Sequence, residues 1–253
     1  MRLTGNTVLI TGGTSGIGLG LALRLHDSGN KVIVACRRKE LLDRITSEHP
    51  GIEALALDVT DPASIARAAE QVASRHPELN VLVNNAGIML RENLLDPASL
   101  PVAEDHVTVN LLGTIRMTYA FLPLLTGKPD AAVLNVTSAL AFVPLPITPT
   151  YNATKAALHS FSESLRVQLA QADAGVQVIE VAPPGVRTTM LDQEDNESSM
   201  PLDDFLTETL DLLRETPDAK ELVVERARFV RDAESNGSYD NVLAMLSGVR
   251  PRP

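Results

Sequence analysis

Six short runs of aliphatic and β-branched residues recur along the chain: TVLIT (7–11), KVIVA (31–35), EALAL (53–57), VLVNN (81–85), AVLNVTS (132–138) and VQVIEVA (176–182). They are close to continuously apolar, the pattern of strands covered on both faces rather than strands with one wet side. Between them lie longer stretches of helical period, at 17–28, 39–49, 62–76, 103–125 and 152–171. Strand and helix in strict alternation predict parallel βαβ units wound on both faces of one sheet, an α/β architecture. No linker rich in Pro, Gly or Ser divides the sequence and no segment repeats. With 253 residues, 44% of them hydrophobic, the chain can bury one substantial core, so a single domain over 1–253 is expected.

The first run leads straight into TGGTSGIG (11–18) and then into a helical stretch. Glycines at 12, 16 and 18 allow a tight turn, a close approach of backbone to a pyrophosphate and close packing of helix on strand, with the phosphates at the helix N-terminus. A glycine-rich turn serves many purposes, but its place between a strand and a helix points to a dinucleotide, with Gly12, Thr14, Ser15, Gly16, Ile17 and Gly18 as the contacts. The second strand run ends at Ala35-Cys36-Arg37-Arg38. No carboxylate stands there to accept the adenosine ribose hydroxyls or to repel a 2′-phosphate, and two guanidiniums follow whose planar forks suit a phosphate. NADP(H) is therefore expected over NAD(H), with Arg37 and Arg38 as cofactor-binding residues; arginines capping a solvated loop are the competing explanation.

Other classes are less compatible with the composition. Lys and Arg total 22 against 32 Asp and Glu, a formal charge of −10, and aromatic residues make up 3% of the chain, which argues against a nucleic-acid partner. A lone Cys36 excludes an internal disulfide. The five histidines form no HxxH pair and have no cysteine cluster beside them, so no metal site is expected. MRLTGNTVLI lacks the pattern of a secretion signal, and no apolar run approaches the ~18 residues of a membrane span. A cytoplasmic protein with no membrane partner is the expectation.

YNATK (151–155) places Tyr151 and Lys155 one helical turn apart on one face, a phenol within reach of a fixed cation. That pair alone fits many surface helices. Together with TGGTSGIG, NNAG (84–87), Asn110 and Ser138, which precedes Tyr151 by 13 positions, it resembles the short-chain dehydrogenase/reductase family in its compact form, over residues 5 to about 190. The resemblance implies a catalytic tetrad. Tyr151 would exchange the proton between carbonyl and alcohol, and Lys155 would favour its phenolate and hold the nicotinamide ribose. Ser138 would hydrogen-bond the substrate oxygen, and Asn110 would position a water, unless it only satisfies backbone groups inside a helix. It also implies cofactor contacts from Asp58 and Val59, from Asn85, Ala86 and Gly87, and from Pro184, Gly185, Val186 and Thr188, with Asn84 stitching the sheet.

Between Ser138 and Tyr151 the sequence ALAFVPLPITPT suggests a stiff apolar wall, with Leu140, Phe142 and Leu145 joining Ser138 and Tyr151 in the substrate pocket, and hence a carbonyl substrate with apolar bulk. Core packing would explain the same residues. The polar, acidic stretch after Thr188 is expected to form a substrate lid around 188–215, followed by a helical C-terminal segment over 217–247. Compact members of the family end on a seventh strand, whereas VLAML (242–246) is short and helix-prone. A sheet of about six strands in the order 3-2-1-4-5-6 is therefore predicted, and with it a homodimer through the long helices in preference to a tetramer. The expected function is an NADPH-dependent carbonyl reductase or alcohol dehydrogenase. A non-catalytic NADP-binding sensor is the alternative, and an epimerase or dehydratase of the extended relatives would need a larger C-terminal substrate domain than the ~65 residues after Thr188.

Overall fold

The computed structural model describes residues 1–248. Strands β1 (Thr7–Thr11), β2 (Lys31–Cys36), β3 (Ile52–Ala56), β4 (Val81–Asn84), β5 (Ala132–Val136), β6 (Gln177–Val181) and β7 (Glu221–Leu222) form one parallel sheet in the order 3-2-1-4-5-6-7. Alternate residues of each strand feed two cores. Val8, Ile10, Val32 and Val34 face helices α1 (Gly16–Asp27), α2 (Lys39–Glu48) and α7 (Leu202–Glu215), whose Leu21, Ile45 and Phe205 cover them. Leu9, Ile33, Leu82 and Val133 face α3 (Pro62–Arg75), α5 (Gly113–Leu125) and α6 (Pro149–Gln171) through Val72, Phe121 and Leu169. Phe121 is fully buried, and truncating such a side chain to alanine costs about 3–5 kcal/mol.

The seventh strand corrects the six-stranded expectation. It does not come from the C-terminal VLAML, which lies in helix α9 (Tyr239–Ser247), but from KELVV upstream, where Glu221 and Leu222 pair in parallel with Glu180 and Val181. Two residues carry no periodicity, and one is a glutamate, so no strand pattern is legible there. The 217–247 segment accordingly holds β7 before its helices α8 (Glu225–Arg231) and α9. The preference for a dimer over a tetramer, argued from a missing strand, loses that premise.

The long helical stretch at 103–125 is divided. Helix α4 (Leu100–His106) continues through a π-helical turn at Val107–Leu112 into α5, and the Gly113 N–H reaches back five residues to the Thr108 carbonyl. A wide turn of this kind inserts one residue into a helix and is common at functional sites. Here it contains Asn110.

Candidate active site

The C-terminal ends of β1, β4, β5 and β6 open onto a single cleft of about 690 Å³. It lies where the strand order reverses between β1 and β4, the crevice in which such sheets bind ligands. The glycine turn forms one wall. Gly12 and Gly16 have φ of +65° and +51°, the left-handed region that glycine adopts at least cost, and a Cβ at Gly12 would come within 3.0 Å of the Ala86 Cα. Gly18 plays the packing role: a Cβ there would sit 2.4 Å from both Asn85 Nδ2 and the Gly12 carbonyl oxygen. Asn85 Nδ2 donates to the carbonyls of Thr11 and Gly12 at 3.0 and 3.2 Å, so this side chain braces the turn from β4. Thr11 completes the brace, its hydroxyl oxygen accepting from the N–H groups of Asn85 and Ala86.

Arg37 and Arg38 leave the end of β2 exposed at the cleft. Asp58 lies nearby, and the Arg37 guanidinium contributes to its charge state. Burial works to raise the Asp58 pKa, but hydrogen bonds from the Thr60 N–H and hydroxyl, together with Arg37, hold it below the usual value.

Three further side chains converge opposite the turn. Ser138 follows β5 by two residues as the cap of a short 3₁₀ turn (Ala139–Ala141), its Oγ accepting from the Leu140 N–H at 3.1 Å. Tyr151 and Lys155 occupy successive turns of α6, both buried, with the Lys155 ammonium 5.6 Å from the centre of the tyrosine ring. Lys155 Nζ donates to the Val136 carbonyl at 2.8 Å, which ties the helix to β5. Burial pushes the Tyr151 phenol up to about 12, with the Ser138 hydroxyl working the other way. Burial also brings Lys155 down to about 8, opposed by the charge of Glu180. Burial and Glu180 thus act on the lysine's charge in opposite directions beside the phenol it is expected to tune.

The cleft brings together Gly12, Thr14, Ser15, Gly16, Ile17, Arg37, Arg38, Asp58, Val59, Asn85, Ala86 and Gly87 with Ser138, Leu140, Leu145, Tyr151, Lys155, Pro184, Gly185, Val186 and Thr188. Three expected residues stand apart from its lining. Gly18 lies behind the turn. Phe142 points away, its ring 4.8 Å from that of His159 and 4.2 Å beneath the Arg231 guanidinium. Asn110 is fully buried in the π-turn, where its amide pairs with both the N–H and the carbonyl of Ile88, at 2.8 and 2.9 Å. Asn84 bonds Asn135, which bonds Ser162 on α6, a buried chain between the strands and the helix of the tyrosine.

Sequence reasoning passed over a second support of that helix. Glu92, in the loop after β4, accepts from the N–H and hydroxyl of Thr150, next to Tyr151, and so places a carboxylate at the positive end of α6. His106 stands between them. Its Nε2 accepts from the Leu90 N–H, its ring meets that of Tyr151 edge-on at 6.2 Å, and burial lowers its pKa against the charges of Glu92 and Asp105. Neither residue belongs to a local motif.

The chain matches the short chain dehydrogenase family over residues 6–199. It is 38% identical over 253 residues to an uncharacterised oxidoreductase, DltE, of Bacillus subtilis, covering 98% of each chain. Among solved structures it resembles a short chain dehydrogenase from Burkholderia cenocepacia in complex with NADP (27% identity, TM-score 0.82, 96% of this chain and 99% of that one). It also resembles a 3-ketoacyl-(acyl-carrier-protein) reductase from Brucella melitensis complexed with NADH (30% identity, TM-score 0.73, 84% and 91%). The protein belongs to the short-chain dehydrogenase/reductase family, and is an oxidoreductase with a nucleotide cofactor site. Among the described residues no helix is long and apolar enough to cross a membrane.

Proposed function

We propose that the protein is an NADP(H)-dependent oxidoreductase that interconverts a carbonyl, ketone or aldehyde, and its alcohol. The observation that carries this reading is the convergence of Ser138, Tyr151 and Lys155 on the cleft that also holds the glycine turn and the two guanidiniums of Arg37 and Arg38. The residues fit a dinucleotide phosphate: the turn leaves room that a Cβ would fill, and both guanidiniums are exposed at the cleft. Gly12 to Ile17 would hold the pyrophosphate, Arg37 and Arg38 the 2′-phosphate, Asp58 and Val59 the adenine, and Pro184 to Thr188 the carboxamide.

When bound, the cofactor would supply or accept the hydride. The protein's side chains handle the accompanying proton. In reduction the Ser138 hydroxyl donates to the carbonyl oxygen as negative charge grows there, and Tyr151 Oη delivers its proton to that oxygen. The Lys155 ammonium, 5.6 Å from the ring, stabilises the phenolate that remains and so offsets the effect of burial. In oxidation the same phenolate takes the proton back. Leu140, Leu145 and Ile147 line the cleft beside Ser138 and favour a substrate with apolar bulk. Exposed Val107, Leu112 and Tyr119 on α4–α5 and Val167 on α6 support a homodimer through these helices.

The test is nicotinamide absorbance at neutral pH with NADPH and NADH in parallel, across carbonyls graded from small and polar to bulky and apolar. Turnover that prefers NADPH and bulky substrates, and that Tyr151→Phe abolishes while leaving cofactor affinity unchanged, is the expected result. Retained turnover in that variant would remove Tyr151 from the proton transfer.

A further inference from the structure

Glu180 is a carboxylate in the middle of a parallel strand, fully buried, where the neighbouring Ile179 and Val181 are core residues. An ion in such a place is costly unless its partners are fixed. Both oxygens are engaged. The Thr137 hydroxyl donates to Oε1 at 2.7 Å, and His159 Nδ1 donates to Oε2 at 2.8 Å. Thr137 is the residue immediately before Ser138, and His159 lies one helical turn beyond Lys155 on α6. One buried carboxylate therefore ties the strand end that carries the serine to the helix that carries the lysine.

The charged groups facing Glu180 are His159 and Lys155 from α6, Glu221 from β7 and Arg231 from α8. His159 Nδ1 is also 3.6 Å from Glu221 Oε1, and Arg231 grips Glu221 through Nε and Nη2 at 3.0 and 2.8 Å. Although ligand-type atoms of His159, Glu180 and Glu221 come within 4.8 Å of one another, the arginine and the threonine already occupy the carboxylates. The cluster is an ion-pair network. Its charge raises the pKa of His159, first through the Glu180 hydrogen bond, and opposes the burial that lowers that of Lys155.

We propose that Glu180, held by Thr137 and His159, is a positioning residue for Ser138 and Lys155. The inference rests on the reading of Lys155 as the group that holds the cofactor. Removing the negative charge makes the ammonium easier to deprotonate, so the group loses its proton at lower pH.

The experiment is a fluorescence titration of NADPH, and of NADH, from pH 6.5 to 10 with wild type, Glu180→Gln and Glu180→Asp. Wild-type affinity falls as Lys155 loses its proton. In Glu180→Gln the fall moves down by about half a pH unit or more, roughly a three-fold loss of affinity on the alkaline side, and Glu180→Asp restores it. A Glu180→Gln curve that superimposes on wild type overturns the proposal. Binding needs no turnover, so a protein that binds cofactor but reduces no carbonyl refutes the reductase reading and leaves this test intact. Should Glu180→Gln fail to fold, His159→Leu takes its place. It displaces the midpoint, and His159→Gln, which keeps an N–H donor for Glu180, returns it; no displacement in His159→Leu overturns the proposal equally.

Discussion

Lys155→Met is expected to stabilise the protein at neutral pH while ending its chemistry. The lysine is buried, and its pKa falls from 10.5 to about 8. The folded state therefore binds fewer protons than the unfolded state between pH 8 and 10.5. Stability contributed by this group is full above 10.5 and is lost as pH falls through 8. The gap of about 2.5 corresponds to roughly 3 kcal/mol at pH 7, where the charged form must be kept out of water. Methionine has a similar length and no charge. Its cost is the hydrogen bond to the Val136 carbonyl, about 1–1.5 kcal/mol, while Glu180 keeps Thr137 and His159. The balance is about 2 kcal/mol in favour of the variant, or roughly 4–8 °C in Tm for a chain of this size. Thermal and urea unfolding at pH 7 and pH 9.5 check it, because the advantage must shrink as the wild-type lysine becomes neutral in the fold. A variant less stable than wild type at pH 7, or an advantage that ignores pH, refutes the reasoning.

Other perturbations read other parts of the site. Gly18→Ala forces a Cβ against Asn85 Nδ2 and the Gly12 carbonyl, so a loss of roughly 1–3 kcal/mol in urea unfolding and weaker cofactor binding by fluorescence are expected. Arg37→Glu removes a fork for the 2′-phosphate and adds a repelling charge; Kd for NADPH should rise by roughly ten-fold or more while that for NADH changes little, and equal effects on both would refute the assignment. In the expected lid, Leu191 and Asp192 both have φ of +56°, a costly conformation for side chains that are not glycine. Cleavage by a protease between 190 and 203 should slow when NADPH is bound, and an unchanged rate would count against a lid. Light scattering in dilute solution should give the mass of a dimer, and a monomer would remove the assembly proposed for the α4–α6 surface.

Much of this was legible because the signals are local. Strands β1 to β6 are mostly apolar runs of four to six residues, so six of the seven could be read from the sequence within a residue or two. The glycine turn and the Tyr151–Lys155 pair are compact patterns whose meaning does not depend on distant residues. β7 was missed because two residues stabilised by Lys220, Glu221 and Leu222 bonding to β6 have no period of their own. Phe142 was placed on the substrate wall because adjacency to Ser138 does not reveal direction; the His159 and Arg231 partners that turn it away lie 17 and 89 positions on. Glu92 with His106 and Glu180 with His159 were invisible for the same reason, each pair being joined only once the sheet has formed.

The wide turn at 107–112 fixes the phase of the helix on either side of it. An α-helix advances about 100° per residue, so the single inserted residue rotates everything before it by that angle relative to everything after. His106 meets the Leu90 N–H, and Phe121 enters the core, only with this offset in place. Deleting one residue here would exchange the bonds of the wide turn for regular helical ones, yet would swing His106 off the loop that carries Glu92. A chain change with almost no local cost would thus be felt at the N-terminal end of the tyrosine's helix.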